Sequence, residues 1–426
     1  MVARCLFVVL LLLGAVIGLP SLHAQPAGRN VKEIRISELK YTKRETITRE
    51  LASRVGEPYR AENLEKDKER LDRLGIFSFI EIKATEDDNE IVVDIEVKET
   101  FPYLPMLSIE VTDENGVSAG PGFRAVNLFG RAVQFNASAR FGGATNAEVR
   151  MTDRWFAGDR VGYDVHFFQR DRKNKLDDFN ELSTELNGKV GTYIGDCGRI
   201  GVRLGYLSLG SDRDGVTLSD DNRDNVPSAG FFLGYDSRDL VTNPHRGWWN
   251  ELDVSKSSGD GDFWKFIFDV RRYQPIVNRH TLVLFSLLTL QTGEVGRDIP
   301  TYLDFHIGGT NTIRGWDLDA RSGKNEFINT VGYRYNVVEP RSFTVFGTHL
   351  HLGLQLTVFG DFGHAWNESK EFKLDNFIDG YGFGVRLLVP FVEMIRLDFG
   401  WGEPGQGMRF HFALFEKPVM QRFRVR

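Results

Sequence analysis

The sequence predicts a transmembrane antiparallel β-barrel of about 16 strands preceded by one small α/β domain. Three observations predict it: many short segments in which apolar and polar residues alternate, no later apolar run long enough for a membrane helix, and a leading segment that reads as an export signal. In a barrel wall only every second side chain meets lipid. A chain that is 41% hydrophobic can therefore have a mean hydropathy of −0.28 and still cross a membrane. The same value excludes a bundle of membrane helices. The nearest candidate span, Leu282 to Leu290, is short and carries Ser286 and Thr289.

The pattern divides the chain into a leader (1–24), a small domain (30–99), a barrel (101–415) and a basic tail (416–426). Arg4 precedes the apolar run Cys5 to Leu19, which has the length of a signal peptide and is short for a span. Cleavage is expected after Ala24. Loss of Cys5 with the leader would leave Cys197 alone, so no intramolecular disulfide is expected. The net charge of −6 argues against a nucleic-acid partner.

The small domain reads strand–helix–helix–strand–strand. Val31 to Leu39 is rich in β-branched residues. Thr42-Lys43-Arg44-Glu45 fits a capping box, in which hydroxyl and carboxylate satisfy free amides at a helix start. Ile47, Leu51 and Val55 would then share one face, with Gly56 and Pro58 ending the helix. A second helix from Ala61 to Leu74 would present Leu64, Leu71 and Leu74, and Gly75 would close it. Ile76 to Ala84 reads as a strand. Ile91, Val93, Ile95 and Val97 alternate with Val92, Asp94, Glu96 and Lys98, the period of a half-buried strand. A sheet this small leaves an open edge that can pair with an extended peptide through main-chain hydrogen bonds.

Alternation dominates from 101 onward. Val133, Phe135, Ala137, Ala139 and Phe141 interleave with Gln134, Asn136, Ser138 and Arg140. Val161 to Phe167 and Ile200 to Tyr206 repeat the pattern, as do Leu350 to Val358, Tyr381 to Val389 and Ile395 to Trp401. At roughly 20 residues per strand and turn, the segment gives about 16 strands, an even number that keeps both chain ends on one side. The small domain is then expected in the periplasm and the turns around Arg213 to Asn225 outside the cell.

Within this pattern, Gly308-Gly309-Thr310-Asn311-Thr312-Ile313-Arg314-Gly315-Trp316 sets one arginine in a glycine-rich loop. Gly308, Gly309 and Gly315 open backbone conformations closed to other residues, so the loop can fold back tightly. An arginine held inside a barrel would need that constraint and a carboxylate partner. The stretch resembles the inward-folded loop of the BamA-like superfamily of outer-membrane assembly and translocation barrels (the bacterial surface antigen type). Ile313-Arg314-Gly315-Trp316 matches its (V/I)-R-G-(F/Y) core, with Trp in the aromatic slot.

Other stretches carry the same resemblance. Asp236, Arg238 and Asp239, then Pro244 and Gly247, resemble the family's D-x-R-D…P…G barrel motif. Val358 to Trp366 resembles its D-x-G strand, which implies that Asp361 receives Arg314 and anchors the loop. Gly380 to Gly384, Pro390 and Ile395 to Gly400 resemble the penultimate strands. The terminal strand, Gly407 to Phe415, has Met408, Phe410, Phe412 and Leu414 on one face. Phe410, Phe412 and Phe415 resemble the family's C-terminal assembly signal. The segment 30–99 is similar to a single POTRA domain, with Leu71, Leu74, Gly75 and Phe77 at its helix-to-strand turn.

Three patterns point elsewhere. Gly116-Val117-Ser118-Ala119-Gly120 fits G-x-S-x-G, yet that motif needs a strand leading into a helix, and turn residues flank it here. His349 and His351 share a strand face but have no convergent ligands nearby. Asp212, Asp214, Asp220 and Asp221 read as solvated loop acids, not an EF-hand. No enzyme activity, cofactor or metal is expected.

The resemblance implies an outer-membrane factor that assists insertion and assembly of other outer-membrane proteins. The alternatives are a translocation pore of the same superfamily and a passive channel. Implied partners are outer-membrane lipids, unfolded outer-membrane or secreted proteins taken up by strand addition and at the barrel seam, and accessory periplasmic proteins.

Overall fold

The computed structural model describes residues 29–157, 160–240, 243–345, 348–388 and 394–414, with the backbone alone for 340–345 and 348–351. The leader 1–24, Pro390, Phe415 and the tail 416–426 lie outside the described residues, as do the side chains of His349 and His351.

The small domain contains β1 (Val31–Ile36), α1 (Arg44–Thr48), α2 (Ala61–Asp72), β2 (Phe77–Asp87) and β3 (Glu90–Glu99). Its sheet runs β1-β3-β2, with β1 parallel to β3 and β2 antiparallel to it. Asp88 and Asn89 both have positive φ (46° and 69°). Such two-residue turns match the twist of the strands they join. Ile47, Leu51, Leu71 and Leu74 pack with Val93 and Ile95 of the central strand into one buried cluster.

The first helix differs from expectation. It ends at Thr48, Lys43 makes no side-chain cap, and Val55 is 61% exposed instead of lying on the apolar face. The capping box does not form because distant partners take its groups. The Thr42 hydroxyl accepts from Asn127 Nδ2 at 2.8 Å. The Glu99 carboxylate accepts the amides of Lys40 and Thr42, each at 2.6 Å, and that of Tyr41 at 3.1 Å. Beyond the helix, the buried carboxylate of Asp67 takes the amides of Ala52 and Ser53. That fixes the chain in a turn where the first helix was expected to continue to Val55.

The barrel strands are β4 (Tyr103–Thr112), β5 (Gly116–Leu128), β6 (Val133–Gly142), β7 (Thr145–Ala157), β8 (Val161–Asn174), β9 (Phe179–Ile194), β10 (Gly198–Ser211), β11 (Arg223–Asp236), β12 (Gly247–Ser257), β13 (Phe263–Val277) and β14 (His280–Gln291). A short hairpin follows, β15 (Phe305–Ile307) and β16 (Arg321–Gly323). The wall resumes with β17 (Asn325–Val345), β18 (Thr348–Trp366), β19 (Ile378–Leu388), β20 (Ile395–Trp401) and β21 (Arg409–Leu414). Leaving out the hairpin, 16 strands form one antiparallel meander, with β17 paired to β14. The end strands β4 and β21 come close to each other, but no backbone register joins them among the described residues. The barrel is nearly closed.

Alternation decides which way each side chain faces. On β10, Val202 and Leu204 are 57% and 66% exposed, while Arg203 between them is 6% exposed. The apolar set therefore faces outward to lipid, and the charged set lines a lumen where Arg203 pairs with Asp253. Such inward ion pairs satisfy charges that water reaches poorly.

The small domain docks against one end of the barrel. The β5–β6 turn enters its core: Ala132 joins the buried cluster, and the Gly130 carbonyl accepts from the Lys43 amide and the Thr46 hydroxyl. Trp155 donates to Glu50, Arg154 to the Arg73 carbonyl, Arg70 to Asp196 and Arg246 to Glu69. All these barrel residues lie in or beside turns at the same end, which strand alternation makes the near end. The turns at 113–115, 212–222, 292–324 and 402–408 lie at the far end. In intact cells carrying Cys197→Ser, a membrane-impermeant thiol reagent should label Asp214→Cys and leave Glu65→Cys unlabelled. Labelling at position 65 without labelling at 214 would overturn this arrangement.

Candidate functional site

The long connection from β14 to β17 enters the far half of the lumen. At its root Tyr302 donates to Asp224 Oδ2 at 2.8 Å and packs with Phe179, Leu209 and Val216. Ile299 packs with Val226 and Phe263. His306 Nδ1 lies 2.7 Å from Asp319 Oδ1. Burial pushes the nearby Asp304 carboxyl up to about 6, opposed by His306 and reinforced by Asp177. Further in, Ile307 and Ile313, both 0% exposed, join Leu287, Ile328, Ala365 and Ile378 in a dry cluster. Each fully buried isoleucine contributes roughly 1.5–3 kcal/mol. The loop thus buries its isoleucines against apolar residues of the wall inside an otherwise polar lumen.

The tip folds back on itself. The Gly309 amide donates to the Trp316 carbonyl at 3.1 Å, and the Gly308 amide donates to Thr312 Oγ1 at 2.7 Å. Gly315 has φ +90°, and a Cβ there would lie 2.4 Å from the backbone of Trp401. Only glycine fits this turn and this approach. On β19 a Cβ at Gly380 would lie 1.9 Å from the Arg314 carbonyl oxygen, so the wall is recessed where the loop rests.

Arg314 sits at the centre. Its Nε and Nη2 donate to the two oxygens of Asp361 at 2.7 and 2.8 Å, and its own amide donates to Asp361 Oδ2 at 3.1 Å. Nη1 donates to Asp398 Oδ2 at 2.8 Å. The guanidinium carbon lies 3.3 Å from the centroid of the Phe359 ring. Thr330 donates to Asp361 Oδ1 at 2.8 Å, and Arg396 lies 3.2 Å from Asp398. Arg314 is 5% exposed, Asp361 2% and Asp398 0%. A planar fork meets one carboxylate edge-on, a second carboxylate at its far nitrogen and an aromatic face beneath. Lysine, a single point charge, cannot reproduce that geometry.

Asp398 is the partner that the sequence reading left out. It lies in the stretch Ile395 to Gly400, where alternation puts Arg396 and Asp398 on the lumen face, so the signal was present. Two further contacts had none. His411 on β21 accepts from the Gly315 amide at Nε2, 2.9 Å away, and Asp113 of the β4–β5 turn accepts from Thr310. Trp316 Nε1 donates to the Asp379 carbonyl at 2.6 Å.

The second motif lies at the opposite end of the barrel. Arg238 makes a two-pronged contact with Asp236 at 2.9 and 3.0 Å and stacks over Trp249. Asp239 Oδ1 accepts the amides of Leu240, His245 and Arg246 and so shapes the turn that contains Pro244 and ends at Gly247. Asn243 in that turn is buried and accepts from Gln355 on β18. The structure therefore does not bring Asp236, Arg238 and Asp239 to Arg314. Phe410 on β21 is 56% exposed on the outer face, with Phe412 on the same side. Ser118 lies inside strand β5, where its hydroxyl accepts from the Ala144 amide at 2.9 Å.

Removing Arg314 leaves two buried carboxylates, whereas removing Asp361 leaves Arg314 still held by Asp398. Arg314→Ala should therefore lower barrel stability by about 3 kcal/mol, and Asp361→Ala by less. The double variant should lie close to Arg314→Ala. Denaturant unfolding of the folded barrel checks this, and fully additive losses would show that the two residues do not act as a pair.

Comparison with known proteins fits this geometry. Residues 127–414 match the Omp85 superfamily domain, and residues 30–100 match the POTRA family, described as a surface antigen variable number repeat. The outer membrane protein assembly factor BamA of Neisseria meningitidis serogroup B is 25% identical, across 94% of this chain and 57% of that protein. The chain spans about half the length of the curated relatives it matches. Among solved structures, BamA from Haemophilus ducreyi lacking POTRA domains 1–3 superposes with a TM-score of 0.61 at 14% identity, covering 91% of this chain and 84% of that one. CdiB from Acinetobacter baumannii superposes with a TM-score of 0.58 at 14% identity, covering 91% and 74%. With a luminal arginine loop, a nearly closed sheet of 16 strands and one small docked domain, the chain belongs to the Omp85 superfamily of β-barrel proteins.

Proposed function

We propose that the chain assists the insertion and assembly of other outer-membrane proteins, with its barrel in the bacterial outer membrane and its small domain in the periplasm. The observation that carries this reading is the seam. The end strands β4 and β21 stand side by side without a backbone ladder among the described residues, and an unpaired strand edge is a template for an incoming strand. The role of the curated relatives, outer membrane protein assembly, supports the same reading.

The lumen argues against a passive channel. The β14–β17 connection reaches from Phe179 and Leu209 on one side to Asp398 and His411 on the other, across the far half of the barrel. At the near end the small domain rests on four turns. Passage straight through the lumen would need both to move, whereas the seam offers a lateral route. The outer edge of β2, which among the described residues pairs only with β3, gives an unfolded substrate a place to add as an extended strand. Accessory periplasmic proteins are further partners in this reading, and no catalytic step or cofactor belongs to it.

Depletion of the protein from its host should lower several outer-membrane barrels together in a quantitative survey of the membrane. Normal barrel levels with loss of one secreted protein would replace this reading with translocation.

A further inference from the structure

Strands β4 and β21 share no ladder among the described residues, and one residue of the luminal loop binds both the turn that follows β4 and strand β21. The Thr310 amide donates to Asp113 Oδ2 at 2.7 Å, and the Thr310 hydroxyl donates to Asp113 Oδ1 at 2.6 Å. Asp113 begins the turn that joins β4 to β5. The same hydroxyl oxygen lies 3.1 Å from Nδ1 of His411, on β21. The other ring nitrogen, Nε2, accepts the Gly315 amide at 2.9 Å.

These contacts assign the protons. Nε2 accepts, so it carries no hydrogen, and the neutral imidazole must carry its proton on Nδ1. Nδ1–H donates to Thr310 Oγ1, and the hydroxyl passes its own hydrogen to Asp113. Every donor in the chain meets an acceptor. Thr310 and His411 are each 4% exposed, so water competes little for these bonds. The Thr310 carbonyl is held in turn by Arg396 Nη2 at 2.5 Å.

We propose that Thr310 is a clasp that closes the barrel seam at its far end, joining the β4–β5 hairpin to β21 by side-chain bonds where the described residues form no ladder. The role needs a hydroxyl, because only a group that donates to Asp113 while accepting from His411 completes the chain. Valine has nearly the same shape and can do neither. The clasp reaches other partners than the Arg314 brace, which holds the loop to β18 and β20, although Arg396 touches both. It concerns how the seam is held shut, and it stands or falls independently of what the barrel assembles.

The test places spin labels at two exposed positions beside the seam, Leu107→Cys on β4 and Met408→Cys in the turn just before β21, in a Cys197→Ser background. The full barrel chain is purified from membranes and returned to lipid vesicles. The parent should give one narrow distance distribution. Thr310→Val should add a population at longer distance, and Thr310→Ser should restore the parent distribution. Identical distributions for Thr310→Val and the parent would overturn the clasp. Should Thr310→Val fail to fold, Asp113→Asn serves instead. It keeps one acceptor oxygen but sets an amide donor against a Thr310 donor, so the distribution should still lengthen, and an unchanged one would again overturn the proposal.

Discussion

A guanidinium buried inside a barrel is stable only where carboxylates meet it, and much of the far half of this structure follows from that constraint. Arg314 can reach Asp361 and Asp398 only if its loop turns sharply at Gly315 and lies against a wall thinned at Gly380. The two acids come from β18 and β20, so one side chain ties the loop to strands that are not neighbours in the sheet. Taking three charges out of water gains little net stability, because desolvation offsets most of the attraction. What the cluster supplies is position. Any other placement of the loop leaves buried charges without partners, and that penalty is steep.

The position of the loop then decides what the barrel can do. Its apolar residues fill the lumen around Ile313, and its root packs on β9 to β11 through Tyr302. Its tip reaches the turn after β4 and strand β21 through Thr310. A barrel closed by a continuous ladder would not need side chains there. Here the described residues of β4 and β21 share no ladder, and the polar contacts made through Thr310 are each worth on the order of 1 kcal/mol. Such a closure can be released without unfolding the wall, which is the property that strand exchange at a seam requires.

Much of this was legible in the sequence. Period-two alternation gave the strands and their faces, because a lipid-facing position tolerates little but apolar side chains. The glycines around Arg314 marked a constrained turn, and the arginine itself called for an acid. Local signals failed where distant groups competed for the same atoms. Thr42 and Glu45 had the spacing of a capping box, but Asn127 and Glu99 satisfied that corner from other elements. Asp398 was visible in the alternation of its strand, but no local signal tied it to Arg314, 84 positions away. Asp113 and His411 carried no signal, since their contacts with Thr310 span 197 and 101 positions. Barrel closure alone brings them together.

Amide hydrogen exchange over residues 308–316 tests most directly whether Arg314 holds the loop in the lumen. In the parent protein the amides of Gly309, Arg314 and Gly315 should be strongly protected, because each is hydrogen-bonded within the barrel. In Arg314→Lys their exchange should rise by roughly 100-fold, the equivalent of about 2.7 kcal/mol, while β10 and β11 remain as protected as before. Equal protection of the loop in both proteins would contradict the account and leave the apolar cluster around Ile313 as what keeps it in place.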